Sequence, residues 1–225
     1  AEVFEQLQNV QHVEATDYSF AAIQGDGSLF VWGHPEFAGD VGELQGQLKD
    51  VRHVCGSSGA FACVLGDGRM AVWGNSSCGG CAPHIYPPEW VPGLHKIYAT
   101  IGAMAAIGEG HIKTWGMDPY GGDCSVKDQL KDIQEVHAGS VAFAAILADK
   151  RVVTWGDQEG GGDIAKVKAE LLNVKQVQGK GRAFAALLEN GRVVTWGDPE
   201  YGADSSHVQS QLKDVQQVCS TYPAF

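Results

Sequence analysis

Apolar residues in this chain come in short runs, and the runs recur in a fixed order. Val174-Lys175-Gln176-Val177 is followed by Phe184-Ala185-Ala186-Leu187-Leu188, an Asn190-Gly191 turn, and Arg192-Val193-Val194-Thr195-Trp196-Gly197. The first run returns at Val10–Val13, Val51–Val54, Lys96-Ile97, Ile133–Val136 and Val215–Val218. The second returns at Phe20–Ile23, Phe61–Val64, Met104–Ile107 and Phe143–Ile146, and the third at Ser28–Gly33, Arg69–Gly74, His111–Gly116 and Arg151–Gly156. Short runs bounded by turn residues predict β-strands, three to a unit. The tryptophans Trp32, Trp73, Trp115, Trp155 and Trp196 stand 41, 42, 40 and 41 residues apart. A period in this range marks a repeat architecture whose units cannot bury a core alone.

Full units are expected over residues 10–50, 51–94, 95–132, 133–173 and 174–214, with partial units at 1–9 and 215–225, all in one repeat domain. Asp26-Gly27, Asp67-Gly68, Glu109-Gly110 and Asn190-Gly191 predict hairpin turns with positive φ at both central residues. Lys150 stands where the fourth unit should have glycine, so a strained turn or another type is expected there. The second and third strands are apolar on both faces, as with Phe20 and Ala22 against Ala21 and Ile23. Such sheets need cover on both sides, which blades stacked in a propeller provide. Each Trp is expected between blades, worth about 2 kcal/mol or more on burial. Gly33, Gly74, Gly116, Gly156 and Gly197 then permit a sharp exit from the strand.

Past that exit, Asp40, Asp123, Asp163 and Asp204 recur at one position. Apolar residues four and three apart (Leu44, Leu48 and Val51; Val167, Leu171 and Val174; Val208, Leu212 and Val215) predict a short one-sided helix with an acidic or hydroxyl N-cap. The second unit instead carries Pro83, Pro87, Pro88 and Pro92 around Trp90, which predicts an extended loop. The fold class is therefore all-β: a propeller of short blades of about three strands each plus a short helix, with five full repeats and a partial sixth.

The pattern V-x-x-V-x-G, then A-F-A-A-L-L-E-N-G-R-V-V-T-W-G, then a glycine-rich loop resembles the regulator of chromosome condensation repeat family. It covers essentially the whole chain in five coherent copies. The resemblance implies a propeller, usually of seven blades. The repeat is shorter than in the nucleotide-exchange member and similar in length to that of the secreted bacterial propeller that inhibits β-lactamases. Val91-Pro92-Gly93-Leu94 resembles the linker of that second group. Five and a half units are too few for seven blades, so a further piece of the ring is expected. WD40 repeats share the period, but their Gly-His and Trp-Asp marks are missing.

Composition narrows the function. The formal net charge of -11 argues against sequence-independent nucleic-acid binding, which needs clustered Lys and Arg. No apolar run reaches the roughly 18 residues that would span a bilayer. Six cysteines follow no repeating position, which points to free thiols in a cytoplasmic or other reducing compartment rather than to staples. Cys78 and Cys81 have a spacing that could bind metal or form a redox disulfide. A zinc site needs about four ligands, and His84 is the nearest extra candidate, so no metal is expected. The histidines sit at unrelated repeat positions, and no nucleophile elbow or phosphate cradle occurs. No catalytic residue and no cofactor are expected.

Antiparallel order places the loop between the first and second strands on the same face as the loop after Trp-Gly. The first set varies most: Thr16–Ser19, Ser57–Gly59, Lys180-Gly181-Arg182 and Thr221-Tyr222-Pro223. The second is acidic and partly aromatic: Glu36, Phe37, Asp118, Tyr120, Asp157, Glu159, Asp198, Glu200 and Tyr201. A constant scaffold with variable loops on one side is how recognition surfaces are built. The candidate partner-binding residues are Glu36, Phe37, Asp118, Tyr120, Glu159, Arg182, Glu200 and Tyr201, with the aromatics as anchors inside an acidic rim. A non-catalytic scaffold or subunit that holds a protein partner with a basic surface is expected, without nucleic acid or direct membrane insertion. Nucleotide exchange on a small GTPase and substrate recruitment for a ubiquitin ligase are the alternatives.

Overall fold

The computed structural model describes residues 7–81 and 84–220. Residues 1–6 of the first partial unit, Pro83, and the expected Thr221-Tyr222-Pro223 loop lie outside the described residues. Five antiparallel sheets account for the strands, each a blade in sequence order. Blade one holds β1 (Val10–Ala15), β2 (Ser19–Gln24) and β3 (Leu29–Gly33), and blade two β4 (Val51–Gly56), β5 (Ala60–Leu65), β6 (Met70–Gly74) and β7 (His84–Tyr86). Blade three holds β8 (Leu94–Ala99), β9 (Ala103–Gly108) and β10 (His111–Gly116). Blade four is β11 (Ile133–Ala138), β12 (Ala142–Leu147) and β13 (Val152–Gly156). Blade five is β14 (Val174–Lys180), β15 (Ala183–Leu188) and β16 (Val193–Gly197). The chain divides into two compact units, Ala1–Met117 and Asp118–Phe225. Among the described residues no helix is long and apolar enough to cross a membrane.

The middle strand of every blade is the core. β5, β9, β12 and β15 are buried at every position, as their two apolar faces require. In the first unit, blade one contributes Ala21, Leu29, Val31 and Val41 to a cluster with Val51, Val54, Phe61 and Trp73 of blade two. In the second, Ala142, Ala144, Ile146 and Val152 of blade four pack on Val177, Phe184 and Trp196 of blade five. An aromatic of the middle strand stacks on the repeat tryptophan beside it. Phe20–Trp32, Phe143–Trp155 and Phe184–Trp196 have ring centroids 5.3, 5.1 and 5.4 Å apart. Blade three has Met104 at this position, and Trp90 meets Trp115 edge-on instead.

The indoles also tie blade to blade. Trp73 Nε1 donates to Ala38 O at 3.1 Å, Trp115 Nε1 to Gly79 O at 2.8 Å, and Trp196 Nε1 to Gly161 O at 3.1 Å. Each acceptor lies in the loop after Trp-Gly of the preceding blade and has left-handed backbone, with φ of 70°, 83° and 106°. Trp155 breaks the series: its Nε1 is buried without a hydrogen-bond partner among the described residues. A second tie is backbone alone. Val51 N donates to Gly27 O (2.8 Å) and Val174 N to Lys150 O (3.1 Å), joining the start of one blade to the hairpin turn of the last. The residue before blades one, two, four and five and before the partial sixth unit, Asn9, Asp50, Asp132, Asn173 or Asp214, holds φ between 50° and 55°, a conformation that Asn and Asp tolerate best among residues with a side chain; before blade three Gly93 takes φ 65°.

Three expectations change. The turns between second and third strands are three-residue loops rather than two-residue ones in blades one, two, four and five. Gly68 N reaches Leu65 O at 3.0 Å and Leu65 N reaches Arg69 O at 2.9 Å, a type I turn closed by one left-handed residue. Only the second residue of each Asp-Gly pair therefore needs positive φ; the two-residue form occurs in blade three, at Glu109 and Gly110. At Lys150 the strained alternative holds: the turn keeps the type of its neighbours and the lysine takes φ 65°, against 79°, 84° and 77° for Gly27, Gly68 and Gly191. The expected helix is no α-helix but 3-10 and turn segments, such as Gly42–Gln47 and Lys127–Gln129. Two turns containing Gly42 and Gly46 are too short to repay helix nucleation. The apolar spacing still marks the inward side, with Leu48 and Leu171 buried, and Asp40, Asp163 and Asp204 cap the segment by accepting from the backbone two residues on.

The third change is in the second repeat, where the expected extended loop supplies a fourth strand. Residues His84, Ile85 and Tyr86 pair with Val72, Ala71 and Met70. They carry β-favouring side chains on the open edge of β6, and Pro87 and Pro88 end the strand by withholding donors. Pro88–Trp90 then forms a 3-10 turn.

Trp73→Phe removes a donor and leaves the Ala38 carbonyl bare, so it should cost about 1–3 kcal/mol in a urea melt. Trp155→Phe loses no bond and should cost clearly less; equal costs would contradict the role given to the indole N–H. Lys150→Gly relieves a left-handed side chain and should raise stability by about 0.5–1 kcal/mol, read as a higher urea midpoint at unchanged slope.

Candidate interaction face

The two loop sets meet in every blade. The residue after Trp-Gly donates its N–H into the loop between the first and second strands: His34 to Tyr18 O, Asn75 to Gly59 O, Met117 to Gly102 O, Asp157 to Val141 O and Asp198 to Arg182 O, at 2.8 to 3.1 Å. Glycine is required just before that residue. φ runs from 108° to 133° at Gly33, Gly74, Gly156 and Gly197, and a Cβ on Gly197 would lie 2.5 Å from Arg182 O. These first loops hold only two or three residues, because the first strands run on past the expected ends, as β14 does to Lys180. They are chained across blades: Asp17 N to Ser58 O (3.0 Å) and Ser58 N to Ile101 O (3.2 Å) in the first unit, and Ser140 N to Gly181 O (2.6 Å) in the second. A Ser or Thr closes the loop from within, with Thr16, Ser57 and Thr100 accepting from the backbone three residues ahead.

The loop after Trp-Gly opens with a single tight turn: Pro35–Phe37, Ser76–Cys78, Asp118–Tyr120, Gln158–Gly162 or Pro199–Tyr201. This turn sorts the candidate residues. Glu36, Asp118, Glu159 and Glu200 are exposed, whereas Phe37, Tyr120 and Tyr201 are half-buried. In the first unit Phe37 sits in an aromatic group, 4.5 Å from Tyr18 and 5.2 Å from His34 between ring centroids. Tyr18 is 55% exposed. Its sequence neighbours gave no sign of this grouping, since Tyr18 and Phe37 lie on different loops.

In the second unit Arg182 is held between two carboxylates. Its Nη2 lies 2.8 Å from Asp157 Oδ1 and its Nε 3.1 Å from Asp198 Oδ2. Partial burial works against the guanidinium charge, but the hydrogen bond to Asp198 and the charges of Asp157, Asp198 and Glu159 outweigh it and raise its pKa. Arg182 thus engages both inner carboxylates with its single charge and ties adjacent blades, while Glu159 and Glu200 stay outward. Beside it runs a groove of about 600 Å³ lined by Glu159, Asp163, Lys166, Thr195, Asp198 and Asp204.

The thiols do not converge. All six cysteines are free, and among the described residues no group of three or more His, Cys, Asp or Glu side chains could hold a metal ion. Cys78 Sγ takes the Ser58 hydroxyl at 3.2 Å, and Cys81 turns to Val72 O at 3.6 Å. His84 stacks edge-on against Tyr86 at 4.6 Å.

With this geometry in view, solved structures show the same architecture. A crystal structure of yeast RCC1 (Prp20) bound to Kap60 superposes with a TM-score of 0.62 at 11% identity, covering 84% of this chain and 56% of that one. The chain has the RCC1-type β-propeller fold. The structure of Prp20p from Saccharomyces cerevisiae, a protein with binding properties to Gsp1p and histones, gives 0.59 at 12% identity over 84% and 57% of the two chains. The ectodomain of the Physcomitrella patens receptor kinase CR4 gives 0.56 at 16%, over 83% and 53%. The chain therefore spans little more than half the length of these propellers. No protein-family model and no curated protein matches it.

Burial pushes the thiols of Cys55 and Cys63 up to about 12 and that of Cys124 up to about 11, from an ordinary value of 9.0. The unfolded chain releases these protons near 9 while the native propeller keeps them. Their contribution to stability is complete below that pH and is lost as pH climbs towards 12. Unfolding free energy should fall over this window, and Cys63→Ala should flatten the fall. At neutral pH a thiol reagent should take exposed Cys219 first and reach Cys63 only on denaturation. Early labelling of Cys63 would contradict its burial.

Proposed function

We propose that this RCC1-type propeller is a non-catalytic protein-interaction module, a scaffold or subunit that holds a partner with a basic surface. The observation that carries the reading is the division of labour within the loops after Trp-Gly. Their backbone and aromatic side chains are tied down, and four of the five loops expose an acidic side chain: Glu36, Asp118, Glu159 and Glu200. Rigid backbone with outward charge favours complementary recognition, because little conformational entropy is lost on binding. The half-buried Phe37, Tyr120 and Tyr201 serve as the apolar part of the contact. The net charge of -11 steers a cationic partner from a distance. The binding of Prp20p to Gsp1p and histones is in keeping with protein partners for the fold.

The test is retention of partners on the immobilised full chain across a salt series, with Glu36→Lys/Glu200→Lys as control. Retention should fall as salt rises, and the double charge reversal should weaken it at least about tenfold. Partners held equally by the variant would remove the loop face from the reading. Nucleotide release from small GTPases, measured alongside, should not accelerate; acceleration would favour exchange activity.

A further inference from the structure

The edge of a blade's third strand is covered in different ways. In blade two β7 lies on it: Tyr86, Ile85 and His84 pair with Met70, Ala71 and Val72, which are left 1, 0 and 1% exposed. In blades one and five a glutamine from the turn segment that follows closes it. Gln45 Nε2 donates to Leu29 O at 2.6 Å, and Gln209 Nε2 to Val193 O at 2.9 Å. In blade one Leu29 N also donates to Leu48 O at 3.2 Å.

Blade four, inside the second unit, has neither cover. Lys168 stands where blades one and five carry the glutamine, and among the described residues no bond of either kind reaches Val152. Leu147 N donates to Arg151 O at 2.9 Å. Backbone groups alternate along an antiparallel ladder, so Val152 and Thr154 turn their N–H and C=O away from β12. Val152, Val153 and Thr154 keep 6, 7 and 6% of their surface, more than the residues beneath β7. A groove of about 370 Å³ follows Arg151–Thr154, bordered by Val126, Gln129, Ile164, Lys168 and Leu172. An edge with outward backbone groups is a template for another strand.

We propose that β13 receives its fourth strand from a partner protein: a short extended segment that adds antiparallel to Val152–Thr154, as β7 adds to β6. The chemistry of the occupant follows from β7 and from the groove. Ile85 packs on the cluster that holds Val41 and Leu44 of the repeat before it, and Val126 has the matching place here, so the residue opposite Val153 is aliphatic. Tyr86 packs in the cluster of Met70 and stacks on Trp90 at 4.6 Å. Leu172, 57% exposed, offers the corresponding apolar surface, so the residue opposite Val152 is aromatic. Charge sets what comes next. Arg151 is paired with Asp149, and Asp163 accepts from Ala165 N, whereas Lys168 has no ion pair among the described residues. The segment therefore carries a carboxylate beside its aromatic residue. This preference is opposite in sign to that of the acidic loops, so the two surfaces take different partners or different parts of one.

Fluorescence anisotropy on the full chain tests it, with a labelled synthetic peptide that carries the His-Ile-Tyr sequence of β7 followed by two glutamates. Binding should saturate, and lysines in place of the glutamates should weaken it at least about fivefold. A methyl group on the tyrosine nitrogen, which faces β13 in this register, should weaken it at least about tenfold, and one on the isoleucine nitrogen, which faces away, should weaken it far less. Lys168→Gln installs the cap of blades one and five; it should cost at least about tenfold in affinity with the melting temperature not lowered. Glu36→Lys/Glu200→Lys should not weaken the peptide, which separates this edge from the acidic face. Absence of saturable binding overturns the proposal, as does equal binding by Lys168→Gln or by the tyrosine-methylated peptide.

Discussion

A buried indole that donates to a left-handed carbonyl on the blade before it is the interaction that organises this chain. It joins the two things a small blade lacks, apolar cover and a satisfied polar group. A blade of about 41 residues cannot bury a core by itself, so its tryptophan must be covered by a neighbour. Once covered, the indole N–H must find an acceptor inside the interface, or cost about 1–3 kcal/mol. Ala38, Gly79 and Gly161 supply that acceptor from a loop whose shape is set by positive φ. Ala38 adopts φ 70° although it carries a side chain, which shows how closely the loop is bound to the carbonyl it must present. Trp155, buried with no partner for Nε1 among the described residues, marks a place where the packing holds without the hydrogen bond.

The same loop links scaffold to surface. Its glycine brings the chain hard against the first loop of its own blade, and its next turn directs acidic side chains outward while drawing aromatic ones inward. Arg182 lies between Asp157 and Asp198, so a cation that looks available to a partner is already engaged. The exposed acidic residues that remain, Glu36, Asp118, Glu159 and Glu200, lie on these loops, and among the described residues no group of three or more His, Cys, Asp or Glu could hold a metal ion. The likeness to RCC1-type propellers rests on blade geometry alone, at 11 to 16% identity. Function must therefore be argued from these loops rather than carried over with the fold.

Reading residues in order reached the blades, the register of their faces and the pairing of loops, because each follows from local periodicity. Alternation that is apolar on both sides told that β5, β12 and β15 would be covered twice. The recurrent aspartates announced the caps seen at Asp40, Asp163 and Asp204. The tight turn was less legible. Asp-Gly suits both a two-residue and a three-residue loop, and the choice depends on the ladder bonds at Leu65 and Leu188. The pairing of His84–Tyr86 onto β6 is not legible in the sequence because an edge is a property of the folded sheet.

Local chemistry thus settled the repeating unit: strand lengths, the glycine after each tryptophan, and the acidic cast of the exposed loops all arise within a few dozen consecutive residues. Folding alone assigned the long-range partners. Which carbonyl meets which indole, that Tyr18, His34 and Phe37 gather, and that Arg182 is clasped by Asp157 and Asp198 depend on residues from 16 to 36 positions apart brought together by stacking. No periodicity encodes such meetings, because identical patterns in successive repeats give each side chain several equivalent partners, and only the packed arrangement of blades selects one.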